Sequence, residues 1–120
     1  MPTRLTAFND GVVQICRLKP RKTDFGAQRN AKTMDDLEPV VKLTYSLASK
    51  RQQDLEFAEQ SGFQLALKIR TRKVNAVEAK MKAVIEGYLY DIAYVDKVDR
   101  EMFIYLESVR KLEEATGDAQ

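Results

Sequence analysis

The sequence predicts a mainly β protein, a small antiparallel β-barrel or sandwich with one short α-helix (about 49–60) and a long basic loop (about 19–38). In four segments bulky apolar residues occupy every second position, and a strand places alternate side chains on one face. The same segments are rich in β-branched and aromatic residues, which strands favour. One stretch, SKRQQDLEFAEQ, breaks this pattern and has the composition of a helix.

The first predicted element is a strand over Gly11–Leu18, in which Val13 and Ile15 would face the core. The loop that follows is strongly basic, because the chain from Arg17 to Lys32 contains six basic residues and one acidic residue. Loops of this length in a compact domain are usually functional or disordered. A basic loop could follow a phosphate backbone, or it could be a solvated loop without a ligand.

Four further strands follow from the alternation. Their alternating residues are Val41, Leu43, Tyr45 and Leu47; Phe63, Leu65, Leu67 and Ile69; Tyr88, Tyr90, Ile92 and Tyr94; and Met102, Ile104 and Leu106. Burying one such side chain contributes about 1.5–3 kcal/mol, so these faces would supply most of the stability of a small domain. The tyrosines predicted to be core or core-edge residues are Tyr88, Tyr90, Tyr94 and Tyr105.

The helix is predicted over Ser49–Gln60, with Ser49 as its capping residue and Gly62 just beyond its end. Leu55 and Ala58 would face inward, and the helix would lie across one end of a sheet. The order of elements suggests closure into a barrel, which protects strand edges.

The segment AKMKAVIE allows two interpretations. Alternate residues from Met81 to Ile85 would share one face of a strand, whereas a helix would place Val77, Met81 and Val84 in one stripe. We favour the strand, because Gly87 and the tyrosine-rich run after it are typical of a hairpin turn.

Composition argues against enzymatic activity. The 120 residues include no histidine and one cysteine, Cys16, so the usual general base and a cysteine metal site are both missing. We expect no catalysis and no cofactor, in a single domain over 1–112 followed by a flexible acidic tail over 113–120. No apolar run approaches the roughly 20 residues that cross a bilayer, and the N-terminus has no secretory pattern, so a cytosolic chain without membrane contact is expected.

Two charged groups are candidate sites. A basic stripe on the outer face of one strand would contain Lys68, Arg70, Arg72 and Lys73. Such a stripe could pair with acidic residues of a neighbouring subunit or discourage edge-to-edge aggregation. The densest acidic run contains Asp91, Asp96, Asp99 and Glu101. Carboxylates of this type can hold magnesium or calcium, but Asp96–Arg100 also has the composition of a hairpin turn, which we favour.

Four consecutive pieces carry a family resemblance: Arg51 with the helix QQDLEFAEQ, then LKIRTRKV, GYLYDIAYVD and REMFIYLESV. From about Lys50 to Val109 the chain resembles the head–tail joining family of long-tailed bacteriophages, also called head-closure or stopper proteins. The positions that fit the family pattern are Ile69 and Arg70, Gly87, Tyr90 and Ile92, and Leu106. Thr71 stands where an aromatic residue is common, and a frequent arginine has only Lys80 and Lys82 nearby. The first fifty residues match the family only in the order of their elements, which is a strand, a long loop and a second strand.

The resemblance implies a small barrel without catalysis, whose copies form a ring below the phage portal and adaptor. It implies that the ring has the twelve-fold symmetry of the portal. It is compatible with a monomer when the chain is isolated. The ring would close the filled head and dock the tail through its terminator protein. The location would be the virion neck, and the host cytoplasm during assembly.

In the family a long loop projects into the channel and retains the DNA. The segment at Lys19–Glu38 has the corresponding place here, with non-specific contact to double-stranded DNA. Its candidate DNA-facing residues are Lys19, Arg21, Lys22, Arg29 and Lys32. Candidate subunit contacts are Arg51, Lys68, Arg70 and Arg72, opposite Asp96, Asp99 or Glu101 of a neighbour.

Two alternatives stay open. One is a barrel that binds single-stranded nucleic acid through the basic loop and the tyrosines, although Phe25 is the only aromatic residue in that loop. The other is the neighbouring tail-completion (neck) protein, which has a similar size. The helix near the centre of the chain favours the joining protein over the neck protein.

Overall fold

The chain folds as a closed antiparallel β-barrel with one α-helix packed against its outside, in a computed structural model that describes residues 8–19 and 34–112. The strands within these ranges are β1 (Gly11–Leu18), β2 (Leu37–Leu47), β3 (Leu67–Arg72), β4 (Lys82–Ile85), β5 (Tyr88–Val98) and β6 (Glu101–Lys111). The helix α1 (Gln52–Ser61) lies between β2 and β3, and a short 3-10 turn (Met34–Asp36) precedes β2. The predicted fold class, mainly β with one helix, is confirmed.

The strand order around the barrel is β1-β2-β3-β6-β5-β4, and β4 returns to β1 to close it. The β4–β5 hairpin turns at Glu86 and Gly87, whose φ angles of 51° and 81° are those of a primed two-residue turn. The β5–β6 hairpin turns at Asp99, with φ 58°, between Val98 and Glu101. The composition predicts both turns. The first is confirmed, and the second, predicted over Asp96–Arg100, is confirmed at Asp99 and Arg100, because the residues up to Val98 belong to β5.

The barrel interior is filled by the inward faces that the alternation predicts. Residues with 0% exposure in this core are Val13, Ile15, Ile69, Val77, Ala83, Met102, Ile104 and Leu106. The inward faces predicted for β1 and β6 are therefore confirmed. Val77 comes from the connection between β3 and β4, so that connection also contributes to the core.

A second apolar cluster lies on the other face of β4. It contains Cys16, Leu37, Leu89 and Leu112, with Leu18 and Val84 packed against it. Val84 interrupts the alternation of apolar and polar residues in the AKMKAVIE segment. It is apolar because β4 is covered on both faces. The strand interpretation is confirmed, over the shorter span Lys82–Ile85.

Two tyrosine predictions are wrong. Tyr88 and Tyr94 are exposed by 43% and 40%, whereas Ile92 is buried in the barrel core and Leu89 is buried in the second cluster on the other face. Tyr88 is the first residue of β5 and lies opposite Ile85, so its exposure comes from its place at the end of the strand. For Tyr94 the cause is the irregularity in the β5–β6 ladder after Ile92, which places it opposite Tyr105 on the outer face. A bulge inserts one extra residue and so moves later side chains to the opposite face.

The strand boundaries also differ from prediction. β3 begins at Leu67, so Phe63 and Leu65 precede it and pack against α1 instead of continuing the sheet. Leu47, the last residue of β2, is 56% exposed because it lies at the end of the strand.

The helix begins three residues later than predicted, and Ser49 is not its cap. Arg51 occupies the capping position, and its backbone N–H donates to Oδ2 of Asp54 at 2.9 Å. The predicted end at Gly62 is confirmed: its φ of 85° is left-handed, as a helix C-cap favours. Leu55 is 44% exposed, contrary to prediction, because α1 turns Asp54 and Ala58 toward the barrel.

The basic loop is shorter than predicted, because Leu37 and Glu38 already belong to β2. Its two ends are joined where the backbone N–H of Lys19 donates to the carbonyl of Asp36 at 3.0 Å. The predicted DNA-facing residues Arg21, Lys22, Arg29 and Lys32, and the predicted tail over 113–120, lie outside the described residues.

Candidate functional site

The most developed polar site of the described chain lies between α1 and the outer face of the barrel. Lys68 on β3 and Tyr105 on β6 are direct cross-strand partners, and Asp54 of α1 lies over both. Lys68 Nζ donates to Asp54 Oδ2 at 2.8 Å, and the Tyr105 hydroxyl donates to Oδ1 at 3.0 Å. One carboxylate therefore joins the helix to two strands.

The environment of this network moves two pKa values in opposite directions. Burial alone raises the pKa of Asp54, but the hydrogen bonds from Lys68, Arg51 and Tyr105 and the charge of Lys68 outweigh it and lower the pKa to about 2. Burial, with the hydrogen bond to Asp54, raises the pKa of Tyr105 to about 12. Neither group exchanges a proton near neutral pH, so the network is structural rather than an acid–base pair.

Aromatic rings surround the buried ammonium group. Lys68 Nζ lies 5.1 Å from the ring centroid of Phe103 and 5.3 Å from that of Tyr105. Phe57 of α1 packs edge-on against Tyr105, with ring centroids 5.9 Å apart, and at a tilt against Tyr94, with centroids 4.8 Å apart. These rings exclude water from the ion pair, which strengthens it electrostatically.

A surface cleft of about 260 Å³ opens beside this network. Its lining consists of Ala48, Ser49, Arg51, Lys68, Asp96, Phe103 and Tyr105. The Arg51 side chain is 60% exposed and its Nε lies 3.6 Å from Asp54. Three predicted contact residues, Arg51, Lys68 and Asp96, therefore meet in one place.

The predicted basic stripe is not a free surface. Lys68 does lie on the outer face of β3, but α1 covers it, so its assignment as an exposed contact residue is wrong. Arg70 pairs with Glu101 of the same chain at 3.1 Å and lies 5.0 Å from the ring of Phe8.

The remaining predicted contact charges stay at the surface. Arg72 is exposed on β3, and Asp99 is exposed at the tip of the β5–β6 turn. Within 8–19 and 34–112 no ion pair involves Arg72, Asp96 or Asp99. Together with Arg51, these are the predicted contact charges that a neighbour could still use.

A second charged cluster crosses β4, β5 and β6. Lys82 Nζ lies 2.7 Å from Asp91 Oδ1, and Asp91 faces Glu107 across the β5–β6 ladder. Burial and the nearby Asp91 charge raise the pKa of Glu107, and Lys82 opposes that shift. These residues line a cleft of about 470 Å³, together with Leu18, Lys80, Ile92 and Ala93.

Neither cleft contains a recognisable catalytic constellation. In the described part of the chain no group of three or more His, Cys, Asp or Glu side chains is placed to hold a metal ion. Cys16 is fully buried, and burial raises its pKa to about 11, so the thiol stays protonated.

The residues that carry the family resemblance are structural in this fold. Ile69, Ile92 and Leu106 are buried in the barrel core, and Tyr90 packs against that core. Gly87 occupies the β4–β5 turn. Sequence reasoning missed Asp54 and Phe57 of α1 as contact residues. A carboxylate in the first helical turn was a signal for capping, but no local signal indicated its bond to Lys68.

No protein-family model matches the sequence, and no curated protein matches it. Among the described residues no helix has both the length and the apolar character needed to span a bilayer.

Proposed function

We propose that this chain is a structural, non-enzymatic protein of a bacteriophage head–tail junction. In this proposal it forms a ring beneath the portal and adaptor, retains the packaged DNA and docks the tail. The observation that carries it is the β1–β2 hairpin, which holds both ends of the basic segment at one end of a closed barrel.

The base of the hairpin is well defined. The Lys19 N–H donates to Asp36 at 3.0 Å, and Arg17 pairs with Glu38 at 3.4 Å across the two strands. A segment anchored at both ends in this way leaves and re-enters the barrel at one point. In a ring, such segments would converge on the axis, where their positive charges would contact DNA phosphates without sequence preference.

Ring formation needs two different patches, because a head-to-tail contact closes into a ring whereas a self-complementary one gives a dimer. Two such patches are available, because Arg51 and Asp96 line one cleft, and Arg72 lies beside the β5–β6 turn that carries Asp99. Exposed pairs contribute only about 0–1 kcal/mol each. We therefore expect a monomer in isolation and ring formation only on a preformed portal complex, where many weak contacts act together.

The test is electron microscopy of phage particles produced without this protein. Filled heads that leak DNA and carry no tails are expected, and normal tailed particles would overturn the proposal. Complementation with Arg51→Glu should fail, and Arg51→Glu combined with Asp99→Arg should partly restore tailed particles. Lys111→Glu, at an exposed position of β6, is the matched control.

Exposed Tyr88 and Tyr94 favour a second candidate, a barrel that binds single-stranded nucleic acid by base stacking. The Tyr94 ring is already packed against Phe57 and Tyr105, which weakens this candidate. Salt-dependent gel-shift assays with Tyr88→Ala and Tyr94→Ala separate the two. A neck protein would instead be found on free tails by immunolabelling.

A further inference from the structure

One edge of β2 lacks a strand partner along most of its length. β2 pairs with β1 from Leu37 to Tyr45, but with β3 only at Ser46 and Leu47. β3 ends at Arg72, and the N–H of Lys73 then donates to the carbonyl of Arg100 at 2.9 Å. The two strands therefore diverge, and the β2 edge before Ser46 has no partner strand among the described residues.

The ladder identifies which backbone groups face this edge. Ala48 donates to the carbonyl of Lys68 at 2.9 Å, so in an antiparallel ladder every second residue before it also faces the β3 side. Thr44 and Lys42 are two such residues, and both are exposed. Continuing the observed register would place Thr44 opposite Arg72, but the two are not paired.

Pro39 marks the end of the usable edge. Lys19 donates to Asp36, so the same alternation turns the nitrogen of Pro39 away from β1. Proline has no N–H to donate and is tolerated in a sheet on such an edge or at a bulge, and the β1–β2 ladder has a bulge beside Pro39, at the unpaired Val40. The accessible stretch therefore extends from Val40 to Thr44.

The border of this edge is basic. Lys42, Arg72 and Lys73 are all exposed. None of them forms an ion pair within the part of the chain that the structure describes. A second copy that paired β2 with β2 across a two-fold axis would bring these like charges together, which opposes dimerisation by this edge.

We propose that the Val40–Thr44 edge of β2 is a docking site for an extended, acidic strand of a partner protein. The strand would add to the sheet through the backbone groups of Lys42 and Thr44, and its carboxylates would face Lys42, Arg72 and Lys73. Strand addition of this kind takes affinity from main-chain hydrogen bonds and specificity from side chains. The proposal does not depend on the phage function.

The test uses the full chain, isotopically labelled, in amide NMR spectra. The probe is an acetylated and amidated peptide of alternating glutamate and valine at up to millimolar concentration. Shifts at Lys42, Thr44 and Arg72 are expected, with slower amide exchange of Lys42 and Thr44. A peptide with one N-methylated backbone nitrogen facing β2 should bind about threefold to tenfold more weakly.

Charge is tested separately. The double variant Lys42→Glu/Arg72→Glu should bind the acidic peptide about tenfold more weakly at low salt, and Lys111→Glu should bind it unchanged. The same peptide with lysines in place of the glutamates should not bind.

Four results would overturn the proposal. They are shifts located elsewhere, no binding at millimolar peptide, equal binding of the N-methylated peptide, and slow exchange of both amides in the free chain. The last would show that the chain itself already covers the edge. Concentration-dependent shifts of the same residues without peptide would assign the edge to a second copy instead.

Discussion

The ammonium nitrogen of Lys68 lies 2.8 Å from a carboxylate oxygen of Asp54, and both side chains are only 5% exposed. The pair joins α1 to β3, and the Tyr105 hydroxyl completes it from β6. Removing one member of a buried pair leaves the other charge without compensation, which costs more than the intact pair contributes. The attachment of α1 should therefore be unusually sensitive to single substitutions at this point.

Asp54→Asn should lower the free energy of unfolding by about 3–5 kcal/mol, because the Lys68 charge stays buried without a counterion. Urea unfolding measures the change. Glu56→Gln is the control, since the side chain of this exposed residue of α1 accepts a hydrogen bond from Gln52 at 3.2 Å and its substitution should change stability by less than about 0.5 kcal/mol. Asp54→Leu with Lys68→Met should regain most of the loss. Equal effects of Asp54→Asn and Glu56→Gln would contradict this account.

Stability should fall in acid through Asp54. Its pKa is about 2 in the folded chain against an ordinary 3.8. Because the pKa is lower in the folded chain, ionised Asp54 stabilises the fold at pH values above the ordinary pKa. This contribution is lost as the pH falls from about 4 to about 2. The stability difference between the unmodified chain and Asp54→Asn should shrink over that interval. A difference that is constant with pH would argue against an ionised Asp54 in the network.

The stability of the fold should fall in alkali through Tyr105. Its folded pKa of about 12 lies above the ordinary 10.0, so the fold favours the neutral phenol. This contribution is complete below pH 10 and is lost as the pH rises toward 12. Burial raises the pKa of Tyr45 and of Tyr90 as well, so tyrosinate absorbance should show a late phase to which several phenols contribute. Tyr105→Phe should remove one phenol from that late phase. Tyr88→Phe, at an exposed position, should leave that late phase in place.

Glu107→Gln should stabilise the chain at neutral pH by up to about 1 kcal/mol, the cost of like charges facing each other across two strands. Burial and Asp91 raise the Glu107 pKa, so the fold favours the protonated acid, and its ionisation above pH 4.5 costs stability. The gain should disappear in acid, where Glu107 is already neutral. Lys82→Met should have the opposite sign, because it removes the partner of Asp91. Thermal unfolding at two pH values measures both.

Gly87→Ala should destabilise the β4–β5 hairpin by about 1–2 kcal/mol, the cost of a left-handed backbone for an ordinary residue. An added Cβ would meet no atom within 4 Å, so the cost comes from the φ of 81° rather than from a clash. Gly87→Asn should lose less, because asparagine tolerates this conformation. Calorimetry compares the two, and equal losses would point to a different cause.

Much of the barrel follows from local pattern. Val13 and Ile15, like Met102 and Ile104, alternate with residues on the other face and are buried as that pattern predicts. The turn at Gly87 and the helix end at Gly62 follow from backbone conformations that glycine adopts without strain. These features depend on neighbours within a few residues, so the sequence contains them directly.

The incorrect predictions of side-chain burial share one cause, which is the pairing and docking of elements that are distant in the sequence. Tyr94 is exposed because an irregularity in the β5–β6 ladder after Ile92 interrupts a pattern that is regular in the sequence, and Tyr88 is exposed because the pairing of the strands makes it the first residue of β5. Leu55 is exposed because the docking of α1, rather than its apolar content, determines which of its faces meets the barrel.

Lys68 and Arg70 show most clearly which features the sequence determines and which depend on the tertiary structure. They lie two residues apart on one face of one strand, and the alternation alone determines that both point away from the barrel core. The tertiary structure then separates them, because α1 packs over Lys68 and pairs it with Asp54, whereas Arg70 pairs with Glu101 nearer the surface. Periodicity determines the face of a strand, but what covers that face depends on contacts between residues that are distant in the chain.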